Sequence, residues 1–401
     1  MEFTELSDLI DLSDRRKRDV PMTFQRSLLQ KIDWRDRLIG IKGARGTGKT
    51  TLMLQRIKTA FSGPEALYIS LDNLWFETHS LADVIEYHLE NGGTHLFIDE
   101  IHYCDQWQTL LKNVNDNYPA LHIVYSGSSI LKMEQARGDL SRRQITYLLP
   151  GLSFREYLSY EHGQVFDVVS LETLLKNHVE IAQDITGQLK VIPAFKHYLQ
   201  KGYYPFYKDV FGGYETRIIQ VVNQVLESDY PAVEEVTYAT VKKARRMLMI
   251  LAENAPQTPN MKKLYAELET DRNQGLKMLY ALERADLLQL LSTEKRSLKN
   301  MSRPDKIYCN NPNLMYALVK QANTGCVRET FFLNQLRAAG YDVCFPVSGD
   351  FSVDGRFLFE IGGRKKTFDQ IRDIPDSFLA CDDMEIGRGN RIPLWMFGLL
   401  Y

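Results

Sequence analysis

The chain has 401 residues, a formal net charge of -2 and a hydrophobic share of 44%, which allows two or three domains of a globular protein. That charge balance excludes a globally basic nucleic-acid binder and leaves only local patches for such a role. Cys104, Cys309, Cys326, Cys344 and Cys381 are odd in number and lack C-x-x-C spacing, which argues against a disulfide framework and a zinc site and fits a reducing cytosol.

The start, Met1-Glu2-Phe3-Thr4-Glu5, is acidic and no apolar signal core follows it. No apolar run approaches the roughly 18 residues needed to span a bilayer, so a cytoplasmic location and no membrane partner are expected. Residues 1–36 read as a helical arm, with Leu6, Leu9 and Ile10 on one apolar face and Phe24, Leu28, Leu29 and Ile32 on another. The basic run Asp14-Arg15-Arg16-Lys17-Arg18-Asp19 between them reads as a solvated face.

Residues 37–160 alternate strand and helix signals, the pattern of a parallel sheet. The apolar run Arg37-Leu38-Ile39-Gly40-Ile41 leads into Gly43-Ala44-Arg45-Gly46-Thr47-Gly48-Lys49-Thr50, the G-x-x-x-x-G-K-T phosphate-binding loop. Its glycines permit turns that aim successive N–H groups at phosphate oxygens. Lys49 offers a point charge to the β- and γ-phosphates, and the Thr50 hydroxyl suits Mg²⁺. A helix beginning at Thr50-Thr51-Leu52 puts its positive dipole end under the phosphates. Expected nucleotide contacts are therefore 43–51, with Arg45 an additional cation.

Residues 66–71 read as a strand, 81–89 as a helix, and Leu96-Phe97-Ile98-Asp99-Glu100 as a strand ending in two acids. Asp99 suits the Mg²⁺ shell opposite Thr50, and Glu100 suits orientation and polarisation of an attacking water. Residues 107–114 read as a helix. The next strand, 121–125, ends in Ser126-Gly127-Ser128-Ser129. Ser126 and Ser128 are candidates for contact with the γ-phosphate or the water, and turn chemistry accounts for the same residues. Arg142 or Arg143, ahead of a last strand at 144–149, could supply transition-state charge in cis or across a homo-oligomer interface.

Strand signals stop after 160, and 161–238 reads as a helical lid in which Tyr203 and Tyr204 serve packing. Residues 239–312 read as three helices and two strand-like pieces, 287–291 and 306–309, a winged helix-turn-helix pattern. Asp271 can cap the third helix, whose start carries Arg272, Asn273, Gln274 and Lys277, the side chains expected to reach duplex DNA. Residues 313–401 form a further α/β segment. In it Glu329, Asp350 and Glu360 could gather one Mg²⁺.

Together these residues resemble a prokaryotic group of AAA-family ATPases that join a P-loop ATPase to a winged helix and a C-terminal domain similar to restriction endonucleases. The resemblance is carried by 43–50, by the 96–102 stretch with Trp107, by 126–129 and by Leu152-Ser153-Phe154-Arg155-Glu156-Tyr157. Glu329 and Glu360-Ile361-Gly362-Gly363 carry it at the far end. It implies an α/β fold with a P-loop parallel sheet, ATP and Mg²⁺ as ligands, Asp99 as metal ligand and Glu100 as catalytic base. Lys49, Ser128 and Arg142 complete the expected catalytic set. Restriction-type nucleases place a lysine two residues after the strand-ending acid; here that position is Gly362, with Lys365 and Lys366 nearby, which implies a degenerate domain. The expected function is a Mg²⁺-dependent ATPase coupling nucleotide state to domain rearrangement, with a DNA-binding ATP switch or an ATP-regulated nuclease as alternatives. A protein partner is also left open.

Overall fold

The computed structural model describes residues 3–127, 140, 142–231, 236–254, 260–293 and 304–401. Its contacts divide the chain into two compact units, Met1–Gly151 and Leu152–Tyr401.

The first unit is built on five strands, β1 (Leu38–Lys42), β2 (Ala66–Ser70), β3 (His95–Asp99), β4 (His122–Gly127) and β5 (Ile145–Leu148). They pair in the order β2-β3-β4-β1-β5, all parallel. Strands β3, β4 and β1 are adjacent and parallel, so their C-terminal ends lie side by side at one end of the sheet. Strands β1 to β4 are buried along almost their whole length, as a parallel sheet covered on both faces requires. Alternate side chains serve opposite faces. Leu67, Ile69, Leu96, Ile98 and Ile123 pack in one core, with Trp107, Leu111 and Val114 of helix α5 (Trp107–Asn117). Ile39, Ile41, Phe97 and Val124 pack in the other, with Leu52, Met53 and Ile57 of helix α3 (Lys49–Ala60). Each fully buried side chain of this size contributes roughly 1.5–3 kcal/mol.

The N-terminal residues are part of this unit. Helix α1 (Phe3–Asp19) places Leu6 and Leu9 in the first core. Two of its basic residues are used rather than solvated: Arg16 donates to the Tyr68 hydroxyl at 2.9 Å and Lys17 to Ala66 O at 3.3 Å. A short turn, α2 (Leu28–Lys31), and then β1 follow. Helix α4 (Leu81–Glu90) between β2 and β3 starts with a reciprocal cap, in which the side chains of Ser80 and Asp83 each accept the other's backbone N–H.

The second unit begins with helices α6 (Phe154–His162), α7 (Leu171–Gln188), α8 (Val191–Lys201) and α9 (Tyr214–Gln224). Tyr203 and Tyr204 are buried. Helices α10 (Tyr238–Asn254), α11 (Met261–Glu267) and α12 (Arg272–Arg284) precede an antiparallel pair, β6 (Leu288–Leu291) with β7 (Lys306–Cys309). Asp271 caps α12 by accepting from Asn273 N at 2.8 Å and Gln274 N at 3.0 Å. Arg272, Asn273 and Lys277 are exposed there, while Gln274 is half-buried and bonded to Thr270 and Thr240. The charged stretch Glu294-Lys295-Arg296 lies outside the described residues.

Helices α13 (Pro312–Leu318) and α14 (Thr324–Ala338) lead to a second sheet of β8 (Val343–Cys344), β9 (Phe351–Val353), β10 (Phe357–Gly362), β11 (Ser377–Cys381) and β12 (Arg391–Pro393). Its order is β12-β11-β10-β9-β8, parallel from β12 to β10 and antiparallel from β10 to β8. Among the described residues no helix is long and apolar enough to cross a membrane.

Candidate functional site

The site lies at the ends of β1, β3 and β4. The loop leaving β1 turns tightly into α3, with Gly48 at φ +94° as the residue before the helix, a conformation other residues reach only with strain. Gly43 is needed for a different reason. A Cβ there would stand 2.2 Å from Leu149 O, so the loop can lie against the chain leaving β5 only without a side chain. Within the loop the Thr47 hydroxyl donates to Ala44 O at 2.9 Å. The Lys49 ammonium, buried, donates to Gly43 O and Ala44 O, both at 2.9 Å. The nearby Thr51 is exposed on the first turn of α3.

Asp99 ends β3 and is buried. The Thr50 hydroxyl donates to its Oδ2 at 2.5 Å, and the Tyr68 hydroxyl donates to the same oxygen at 2.9 Å. Ser126, at the end of β4, donates to Oδ1, and the Glu100 N–H approaches the same oxygen at 3.2 Å. A buried carboxylate is therefore met by three neutral hydroxyls and an amide. Burial first, and the Asp99 charge next, push the Tyr68 phenol well above its ordinary pKa of 10, so it stays a donor. The Arg16 bond to the Tyr68 oxygen orients that hydrogen toward Asp99.

Glu100 has a left-handed backbone, φ +53° and ψ +46°, a conformation uncommon for a non-glycine residue. Its carboxylate lies between two basic side chains. Arg45 Nη1 of the loop is 4.0 Å from Oε1, and the buried His102 Nδ1 is 3.4 Å from Oε2. The structure thus brings Gly43–Thr50, Asp99, Glu100 and Ser126 together. Ser128 lies outside the described residues. Arg142 is exposed in the turn before β5, and Arg143 pairs with Asp116 of α5 at 2.8 Å.

Sequence reasoning missed three residues here. Tyr68 reaches Asp99 from 31 residues away in the chain, and Arg16 reaches the Tyr68 hydroxyl from 52 residues away. Arg26, 6% exposed, donates to Thr47 O at 2.7 Å. An arginine among apolar residues 20–32 is the only signal the sequence offers for it.

The donor set suits a nucleotide with a hard divalent cation. Hydroxyl and carboxylate oxygens are the ligands Mg²⁺ prefers, and the Thr50–Asp99 pair places one of each at the first turn of α3, where the helix dipole also favours phosphate.

A family model described as an AAA domain matches residues 35–158, which include the whole five-stranded sheet. A domain family of unknown function matches residues 192–325. The chain is similar to the uncharacterized protein MJ1637 of Methanocaldococcus jannaschii, 29% identical over 268 residues, covering 63% of this chain and 56% of that protein. It is also similar to the uncharacterized protein MJ1544 of the same organism, 29% identical over 143 residues, covering 34% of this chain and 32% of that protein. The match thus spans about half the length of the first relative and about a third of the second. Among solved structures, PCH-2 of C. elegans aligns at a TM-score of 0.25 and 14% identity, over 69% of this chain and 66% of that one.

Proposed function

We propose that the protein is a Mg²⁺-dependent ATPase whose nucleotide state alters the second unit. The observation that carries this reading is the 2.5 Å bond between Thr50, directly after the loop lysine, and the strand-ending Asp99. The loop amides and Lys49 bind the phosphates. Thr50 and Asp99 hold the metal, which when bound neutralises charge on the β- and γ-phosphates. Glu100 orients a water for in-line attack on the γ-phosphate and accepts its proton. Ser126 holds Asp99 in place, and Ser128 and Arg142 complete the proposed catalytic set. ATP rather than GTP rests on the AAA match to 35–158.

The test is ATP binding and hydrolysis by wild type and Glu100→Gln, each with and without duplex DNA. Wild type is expected to turn over, and Glu100→Gln to bind ATP with hydrolysis reduced about 10²-fold or more, the range for general-base loss. Binding without hydrolysis by wild type under every condition would make the loop a ligand sensor rather than a catalytic site.

A second reading is supported by α12. Arg272, Asn273 and Lys277 are exposed at the start of the third helix before a β-hairpin, the position from which a winged helix reaches base edges or phosphates. On this reading the ATPase is a slow switch on DNA. A mobility shift that weakens with salt, and that is lost in Arg272→Ala/Lys277→Ala, is expected. Equal migration of both proteins with and without DNA would remove it.

A further inference from the structure

The phosphate loop and the chain leaving the first unit are held by one side chain. Arg26 Nη1 donates to Thr47 O at 2.7 Å, and Nη2 donates to Pro150 O at 2.7 Å and Gly151 O at 2.9 Å. The same exit segment is fixed to the loop twice more. Leu149 N donates to Lys42 O at 2.7 Å, and Gly43 sits too close to Leu149 O to carry a Cβ. The backbone around Arg26 is itself anchored. The buried Gln55 of α3 donates to Pro21 O at 2.8 Å and Phe24 O at 2.7 Å.

The next residue, Leu152, opens the second unit and is held there. Its N–H donates to Tyr203 O at 2.8 Å, and its carbonyl accepts from the Tyr198 hydroxyl of α8 at 2.6 Å. No slack residue separates the two sets of bonds.

A peptide group is planar and trans, so its C=O and N–H point in opposite directions. Gripping Thr47 O therefore aims the Gly48 N–H, one of the amides of the phosphate loop. An anion that draws on that N–H rotates the 47–48 plane and moves Thr47 O. The guanidinium is a rigid fork, so displacement of one arm is passed to the carbonyls on the other.

We propose that Arg26 is a positioning residue for the phosphate loop and the relay through which its occupancy reaches α8 by way of 149–152. This rests on the nucleotide-binding reading. Arginine is required because a lysine ammonium is a single point and cannot hold both groups in one plane.

Hydrogen exchange of the full chain, with and without saturating Mg²⁺ and a non-hydrolysable ATP analogue, tests it. In wild type the analogue slows exchange at 43–52, 149–152 and 191–203. In Arg26→Lys the analogue binds about tenfold more weakly, the scale of one misaimed charged hydrogen bond. At saturation that variant keeps the effect at 43–52 and loses it at 191–203. A purely structural role would lower thermal stability but leave the 191–203 response intact at saturation, and that result overturns the relay.

Tyr198→Phe decides the matter independently of how Arg26→Lys folds. It leaves affinity and the responses at 43–52 and 149–152 unchanged and weakens the response in α8, 191–201, while the bond from Leu152 N to Tyr203 O persists; a full response in α8 also overturns the relay. Wild type that shows no effect at 43–52 rejects nucleotide binding itself. An effect at 43–52 that stops before Leu152 rejects only the relay.

Discussion

Two groups of acids lie in or beside buried strands in this chain, and they are satisfied in opposite ways. Asp99 in the first unit is met by the hydroxyls of Thr50, Tyr68 and Ser126. In the second unit Glu360, inside β10 rather than at its end as the sequence suggested, pairs with the Lys366 ammonium at 2.6 Å, and Lys306 stands 3.4 Å from Glu329 and 3.7 Å from Asp350. Hydroxyls satisfy a carboxylate without cancelling its charge, and each can turn to a cation's other ligands. An ammonium already supplies the positive charge a metal would bring. The first arrangement leaves a carboxylate charge that a divalent cation could meet, while the second sets two ammonium groups against three carboxylates. Among the described residues no group of three or more His, Cys, Asp and Glu is gathered closely enough to hold a metal.

The largest effect that could break this contrast is at Asp99. Asp99→Ala is expected to reduce ATP hydrolysis at least about 10²-fold, as loss of a principal electrostatic group does, measured as steady-state phosphate release. Removing Glu360 is expected to leave that rate unchanged. Cleavage of duplex DNA with Mn²⁺ and ATP, abolished by Glu360→Ala, would show that the two ammonium groups do not keep a metal out of the second cluster.

Next in size is Lys366→Ala. It strips the cation from a buried carboxylate and is expected to cost about 1–3 kcal/mol, the low end being favoured because the lysine is partly exposed. A denaturant midpoint equal to wild type would mean that the Lys366–Glu360 pair adds nothing to stability.

Tyr68→Phe sharpens the description of the first site. Losing one hydroxyl hydrogen bond to the Asp99 carboxylate corresponds to about 1.5 kcal/mol, the low end for a charged acceptor because Thr50 and Ser126 remain. A severalfold rise in the Mn²⁺ concentration that half-saturates the nucleotide-bound protein is expected, read by metal titration rather than by turnover. An unchanged titration would show that Thr50 and Ser126 alone orient Asp99.

The smallest effect is a pH dependence in the second unit. Burial first, then the Asp350 charge, raise the Glu329 carboxyl above its ordinary value of 4.5. The folded state therefore holds this proton more tightly than the unfolded one. Its stability contribution is present below pH 4.5 and is lost as pH rises through the folded value. Glu329→Gln, which cannot titrate, is expected to flatten that part of the stability profile. Parallel profiles for the two proteins would assign the slope elsewhere.

The two sites also differed in how much could be read from residues alone. The phosphate loop and the Asp99-Glu100 strand end are contiguous motifs, and the structure assembles them as the spacing implied. The groups around Asp99 were only half legible. Ser126 was a candidate because it ends a strand, but Tyr68 looked like one more core residue of β2, and Arg16 like part of a solvated run. The paired lysines of the second unit were similarly hidden. Lys366 was one of two candidates near Glu360, and Lys306 opened a strand 23 residues before Glu329 without any local mark.

Sequence by itself determined what depends on short stretches of backbone. Those are the glycines that allow the loop, the apolar runs that bury β1 to β4, the caps at Ser80 and Asp271, and the acid where β3 ends. Each is set by torsional preference and periodicity within a few residues. Tertiary structure alone decided which distant side chains meet the acids, and that Arg26 spans Thr47 and Gly151. A long polar side chain can satisfy its charge with many acceptors. Which one it finds depends on how helices and strands far apart in the chain are packed together.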